Sequence, residues 1–345
     1  MKLGWDDSLA DALCRRRCAF ALYRLPGEAE GARFCMQADG GCGAWQPQQR
    51  GFILAPFAKS PLFIRCESES PAEAENFAPL APCPPATPPT TREAYSRLFA
   101  RYRAQLPSPL RKIVLARTED VQVAAGFSPA AAFRRACELS PNTFNALIHS
   151  AEHGTWLCST PELLVQGCGE EWQTMALAGT RPATENTPAA PWDEKNRCEQ
   201  QLVAEDMEAR LAPLWEWGEA APTCTLQAGA IEHLCTRFRF RMASARLGEL
   251  LAALPPTPAI CGYPRQAALD LLRREPDVER GLYAGYLGPV EAAGARLFVT
   301  LRCMRLYPGL CRLYAGGGIM PESDEEAEWH ETQAKMLGMR HLLEH

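Results

Sequence analysis

Residues 79–90, PLAPCPPATPPT, hold six prolines in twelve positions. Proline fixes φ and removes an amide donor, so a run this dense excludes a helix interior or a central strand and leaves extended polyproline geometry. The regular structure must therefore be built on either side of it. The run reads as a connector between a strand-rich N-terminal part, 1–90, and a larger part, 91–345. A long surface loop within one domain fits the composition equally well.

Upstream, GFILAPF (51–57) and PLFIRC (61–66) are short apolar runs bounded by Gly and Pro, which predicts strands. Downstream, a helix is predicted over Arg92–Gln105, a strand or strand pair over Lys112–Val123, a helix over Pro129–Leu139, and strands over Phe144–His149 and Thr155–Cys158. Leu202, Val203, Met207 and Leu211 have helical spacing, with Asp193 placed to cap the helix. A short helix follows over Gln266–Arg274. Arg296–Leu306 alternates as one strand, with Leu297, Val299, Leu301 and Cys303 on an apolar face and Thr300 and Arg302 on the mixed one. Ser323 or Asp324 caps a last helix running to about Leu343. Strands and helices intersperse without a βαβ rhythm, so the expected class is α+β.

The 345 residues are 47% hydrophobic and carry a formal charge of 36 − 41 = −5. That balance excludes a disordered chain and provides no long-range field for nucleic acid. No apolar stretch approaches the roughly 20 residues of a bilayer span, and MKLGWDDSLADAL lacks the basic start and apolar run of a secretory signal. A cytoplasmic protein is expected, with neither membrane nor nucleic-acid partner. No long heptad is present, and a monomer is expected. The fifteen cysteines are odd in number, and the closest pairs, Cys14/Cys18 and Cys35/Cys42, lack CxxC spacing. They read as reduced, small core residues, with a structural metal site as the alternative.

Several residues could carry chemistry. Lys112 opens the apolar strand KIVLAR; it either snorkels to water or is desolvated and becomes a candidate base. Glu162, in CSTPELLVQ, is either a first-turn helix carboxylate or an acid facing a cavity. Glu328 and Glu331 share a face of the last helix, and Glu199 lies on an earlier one with Glu194 and Glu205 nearby. Converging carboxylates suit Mg²⁺; otherwise they are solvated faces with pairs such as Glu331–Lys335. Gly316, Gly317 and Gly318 could bring backbone amides to an anion or simply make a tight turn. Arg302 could pair with a carboxylate, and His233 sits among apolar residues where a satisfied core histidine is the commoner outcome. Taken together, these parts suggest an enzyme acting on a small carboxylated substrate with Mg²⁺.

In order along the chain, RKIVLAR, STPELLVQ, ALAGTRPA, DEKNRCEQQLV, EHLCT, PTPAICGYP, RGLYAGYLG, LFVTLRCMRLY, YAGGGI and EWHETQAKM resemble the chorismate-utilising enzymes: isochorismate, anthranilate, aminodeoxychorismate and salicylate synthases. The resemblance covers about 111–336, and GFILAPF resembles the group's N-terminal part. It implies two packed, mainly antiparallel β-sheets flanked by helices, with 1–90 completing the fold of a chorismate-binding core at 91–345. PTPAICGYP is similar to the isochorismate-forming branch, where anthranilate-type enzymes carry a PxGTxSGAPK-like segment. The short N-terminal part and LFVTLRCMRLYPGLCRLYAGGG are most similar to isochorismate synthases of the menaquinone pathway; siderophore-pathway relatives catalyse the same reaction.

The resemblance further implies Lys112 as the base that activates water and Glu162 as the acid. Glu199 and Glu331 would hold Mg²⁺, with Glu328 directly or through water. Tyr283, Arg302, Gly316, Gly317, Gly318 and Lys335 would hold the substrate carboxylates. Gly179 and Thr180 would line the pocket, His233 would sit near the ring carboxylate, and Ala259 would be among the substrate-binding residues. Gln200 and Pro255 stand where many relatives have His. The alternatives are a salicylate- or anthranilate-forming activity, or a protein that binds chorismate without turnover.

Overall fold

All strand pairings among the described residues are antiparallel, and they gather into two sheets. The computed structural model describes residues 7–28, 31–37, 41–47, 49–67, 83–183, 191–228 and 231–344. The first sheet has eight strands in the order β14 (Gly262–Tyr263), β6 (Lys112–Gln122), β18 (Leu310–Ile319), β17 (Cys303–Tyr307), β8 (Gly154–Thr160), β7 (Phe144–Ser150), β1 (Ala19–Arg24) and β2 (Arg33–Gln37). The second has ten. Its order is β11 (Trp217–Ala220), β13 (Ile231–Arg241), β10 (Glu171–Pro182), β9 (Leu163–Cys168), β16 (Gly294–Val299), β15 (Tyr286–Glu291), β4 (Gly51–Ala55), β5 (Leu62–Arg65) and β3 (Gly43–Ala44), with β12 (Cys224–Ala228) also on β13. The N-terminal strands enter both sheets: β1 pairs with β7, and β4 with β15. Residues 79–82 of the proline run lie outside the described residues, and 83–90 form neither helix nor strand.

Among the described residues seven α-helices flank the sheets: α1 (Asp7–Leu13), α2 (Arg92–Arg103), α3 (Pro129–Leu139), α4 (Glu194–Leu211), α5 (Leu247–Ala253), α6 (Arg265–Arg274) and α7 (Glu325–His341). Four start where a short polar side chain accepts a hydrogen bond from an orphan amide of the first turn. These caps are Thr91, Ser128, Asp193 and Asp324. The architecture is α+β, as its alternation of segments suggested.

The sheets pack face to face. Phe144 of β7 stacks on Phe298 of β16 at 4.3 Å between ring centroids, 3° from parallel, and both are buried. A second core lies between the first sheet and helices α1, α3 and α7, and a third beneath α2 and α6.

Two segments depart from their predicted form. Arg296–Leu306 is not one strand. It belongs to β16 and β17, which lie in different sheets, and the chain crosses between them over residues 300–302 with Arg302 at φ +45°. The apolar alternation runs through the crossing because both flanks enter buried layers. Gly316–Gly318 is not a turn but part of β18, paired with β6 from Gly316↔Ala116 to Gly318↔Val114.

Candidate active site

The chain crosses between the two sheets at two neighbouring places, in opposite directions, and each crossing delivers a functional side chain. Residues 161–162 join β8 to β9 and carry Glu162; residues 300–302 join β16 to β17 and carry Arg302. The crossings are tied together: Ser159 donates its amide to Arg302 O at 2.9 Å, and Val299 donates to Glu162 O at 3.0 Å. Glu162 is therefore in no helix. It faces a cavity of about 690 Å³, mouth included, lined also by Gly179, Thr180, Glu199 and His233. Ala259, Tyr283, Arg302 and Lys335 complete its walls, with Gly316 and Gly318 on the β18 side.

Burial dominates the electrostatics. It pushes the Glu162 carboxyl up to about 7, against the opposing pull of Lys112, Lys335 and Arg302. Such a group can hold a proton at neutral pH and give it up. Burial, Arg302 and Lys335 together push His233 down to about 3. A neutral ring fits its contacts: Nδ1 donates to Gly179 O at 3.0 Å and lies 3.2 Å from Thr180 Oγ1, and Nε2 accepts from Arg302 at 3.1 Å. Burial brings the Arg302 guanidinium down to about 10, where it remains a cation.

Gly179 shows why this wall needs glycine. The β10–β13 register slips between Ala178 and Thr180, and Gly179 sits at φ +71°. A Cβ there would come within 3.2 Å of Asn196 O. Asn196 meanwhile accepts the Thr180 amide at 3.0 Å, which fastens α4 to the bulge. Ala259 comes from the turn at Thr257, whose carbonyl accepts from the amides of Ile260 and Cys261. The Tyr283 ring stacks on Tyr314 at 5.5 Å.

Lys112 does not snorkel. It is fully buried, with Nζ 2.7 Å from Glu199 Oε1 and no other polar partner among the described residues. Burial alone would raise the Glu199 carboxyl; Lys112, Lys195 and Lys335 outweigh it and hold the group below its usual value. Glu328 and Glu331 approach from α7. Glu328 is raised, by burial and then by Glu331, despite Lys195 at 2.5 Å and Ser323 at 2.7 Å. Glu331 pairs with Lys335 at 2.6 Å, and Lys335 also donates to Gly316 O at 2.9 Å.

The three glycines of β18 are where these groups meet. A Cβ on Gly316 would stand 2.8 Å from the Tyr283 hydroxyl, one on Gly317 2.7 Å from Glu328 Oε2, and one on Gly318 2.4 Å from Glu199 Oε1. At each of them an added side chain would collide with one of these groups.

Whether the three glutamates suit a cation can be judged from their oxygens. Among the described residues no three Asp, Glu, His or Cys side chains form a ready metal-holding group, and each glutamate is met by a lysine. Yet Glu328 Oε2 is buried without a partner, and Glu328 is raised by its carboxylate neighbour. An all-oxygen donor set with mutual repulsion and an unused buried oxygen fits a hard divalent cation.

Other candidates lie elsewhere. Glu194 pairs with Arg197 on the surface, and Glu205 accepts from Gln201. Gln200 turns its amide to Ala176 O and Thr236 Oγ1, away from the cavity. Lys195, Asn196 and Ser323 were missed from sequence. Lys195 lies four residues before Glu199, a visible spacing, but its partner is on the other helix. Cys158, Cys261 and Cys303 are buried and Cys66 partly so, while Cys83, Cys168, Cys198 and Cys224 are exposed. No helix among the described residues is long and apolar enough to cross a membrane.

Residues 87–344 match the family described as chorismate binding enzyme. Isochorismate synthase EntC of Escherichia coli (strain K12) is 30% identical over 263 residues, covering 72% of this chain and 66% of the relative. Isochorismate synthase MenF of the same strain is 31% identical over 242 residues, covering 68% and 56%. The chain thus spans 66% or less of the length of these curated relatives. Among solved structures, the menaquinone-specific isochorismate synthase MenF from Escherichia coli superposes with a TM-score of 0.77 at 22% identity, covering 100% of this chain and 92% of that one. Anthranilate synthase component I from Streptococcus pneumoniae TIGR4 superposes with a TM-score of 0.66 at 16% identity, covering 93% and 92%. Both share the fold.

Proposed function

The chain belongs to the chorismate-binding enzyme family, and from that premise we propose that it is an isochorismate synthase, dependent on Mg²⁺ and serving menaquinone biosynthesis. The observation that supports this most directly is one cavity lined by a buried carboxyl, Glu162, by Arg302 and Lys335, and by Glu199, whose Oε1 lies 2.7 Å from the buried Lys112 amine.

The reaction moves a hydroxyl from C4 of chorismate to C2. Water is a poor nucleophile at neutral pH, and hydroxide is a poor leaving group. Lys112 takes a proton from water as the water oxygen bonds to C2. Both conjugated ring double bonds shift by one position, and the C4–O bond breaks as Glu162 gives its proton to the departing oxygen. Atoms balance without an oxidant or reductant. Burial keeps a proton on Glu162 near pH 7, and the crossing backbone holds the carboxyl at the cavity wall.

Arg302 and Lys335 would receive the substrate carboxylates. His233, held neutral, would orient Arg302 without competing for its charge. Glu199 and Glu331, with Glu328, would hold the cation, which supplies neutralisation of the ring carboxylate.

Purified protein given chorismate and Mg²⁺ is expected to yield isochorismate by chromatography. Only anthranilate when ammonia is supplied, or only salicylate with pyruvate, would assign a sister activity instead. Ligand binding without any product would make the chain a binding protein.

A further inference from the structure

Two antiparallel ladders set cysteines directly opposite one another. Cys158 of β8 faces Cys303 of β17, and Cys224 of β12 faces Cys235 of β13. Opposed residues of such a ladder have Cα atoms about 4.5–5.5 Å apart and side chains on one face. That separation falls inside the roughly 4.4–6.8 Å that a disulfide bridges. The pairs differ in access. Cys158 and Cys303 are both fully buried, so no oxidant in solution reaches either sulfur. In the second pair Cys224 is exposed, Cys235 is buried, and, besides burial, Cys224 lies close enough to raise the Cys235 thiol. Arg237 Nη1 donates to Cys224 Sγ at 3.7 Å and orients it. The exposed sulfur can meet an oxidant while the buried one waits behind it.

We propose that Cys224 and Cys235 form a redox site that reacts with a small hydroperoxide, independently of the reaction proposed above. The Cys224 thiolate attacks the peroxide; the O–O bond breaks, the sulfur becomes a sulfenic acid, and the other oxygen leaves as an alcohol or water after taking up a proton. The Cys235 sulfur then attacks the sulfenic sulfur. The S–S bond forms, the S–O bond breaks, and water departs with the sulfenic oxygen and the Cys235 proton. Two thiols are oxidised, one peroxide is reduced, and no further reductant is needed. The new bond staples the β12–β13 hairpin two residues from His233. It also lies beside Leu177, the β10 partner of Cys235, which lines the cavity.

Exposure of the folded, full chain to hydrogen peroxide, followed by alkylation under denaturing conditions and mass spectrometry, tests this. The expected product is about 2 Da lighter, having lost two hydrogens, takes up two fewer alkyl groups, and contains a 224–235 cross-linked peptide that dithiothreitol releases. Cys158 and Cys303 are expected to remain alkylatable thiols. C224S, a change at an exposed position, should abolish the cross-link, and C235S should stop at a sulfenic acid on Cys224 that dimedone traps. A wild type in which Cys224 advances to sulfinic acid without the cross-link would overturn the proposal. Oxidation of Cys168 and Cys198 with the 224–235 pair left reduced would overturn it too, as would a Cys158–Cys303 bond forming first.

Discussion

Gly318→Ala isolates the geometric requirement of the site from its chemistry, since it removes no polar group. The new Cβ would stand 2.4 Å from Glu199 Oε1 and 2.6 Å from Lys112 Cε, where ordinary contact begins at 3.4 Å. The carboxylate must therefore retreat by about 1.0 Å and the lysine by about 0.8 Å, the shortfalls from 3.4 Å. Lys112 is fully buried, and Glu199 can retreat only into the cavity it lines, which takes its carboxylate off the lysine. A misplacement of about 1 Å at a reacting group can cost on the order of 10²-fold in rate, equivalent to about 2.7 kcal/mol. Gly318 has no left-handed φ, so alanine suits its strand and the fold should persist. The assay is kcat/KM for chorismate at saturating Mg²⁺, with thermal unfolding followed by circular dichroism. Gly338→Ala, in α7 with nothing within 4 Å of the added Cβ, is the control and should keep full activity. A folded Gly318→Ala enzyme within about twofold of wild type would refute the claim that the glycines matter because they leave room.

Glu162→Gln is expected to lower turnover by about 10³-fold, the middle of the range for a lost general acid, and wild-type turnover should fall as pH rises through about 7. Because burial raises this carboxyl from 4.5 to about 7, the fold binds its proton more tightly than the unfolded chain does. The resulting stability is full below the usual carboxyl range and is lost as pH rises through about 7; urea unfolding of Glu162→Gln should lack that loss between pH 5 and 8. Lys112→Ala should abolish turnover while calorimetry still detects Mg²⁺-dependent chorismate binding, and unchanged turnover would place the base elsewhere. Phe144→Ala removes the inter-sheet stack on Phe298 and should cost about 3–5 kcal/mol in denaturant unfolding; a loss below about 1 kcal/mol would mean that the two sheets do not rely on it.

The elements were legible where local chemistry decides them. The α3 bounds, Pro129–Leu139, follow from the proline and from Ser128, which caps the helix, and α4 follows from Asp193 and the spacing of Leu202, Val203, Met207 and Leu211. What the sequence concealed are long-range pairings. Lys112 read as a charge in search of water because its partner, Glu199, lies on a helix of the opposite layer. The break at residues 300–302 left no trace because Arg302 is not a glycine, yet it adopts a positive φ, which it holds between hydrogen bonds from two crossings. Gly316–Gly318 suggested a close approach without naming the side chains involved. The neighbours are side chains of Tyr283, Glu328 and Glu199, contributed by a loop and two helices that no local pattern connects.

The pairing of charges in the cavity bears on how a dianionic substrate could enter it. Glu199 is matched by Lys112, Glu328 by Lys195 and Glu331 by Lys335, each within 2.7 Å. Arg302 donates to a neutral imidazole instead. With its lysines so engaged, the site offers an incoming dianion mainly one uncommitted guanidinium. On the proposed reading, a divalent cation taken up by the glutamates would release Lys335, and the substrate's carboxylates would then meet a cavity with surplus positive charge. Chorismate and Mg²⁺ together are electrically neutral, so each removes the electrostatic obstacle to the other. Their affinities should therefore rise by the same factor when measured in either order, because a coupling free energy between two ligands is reciprocal.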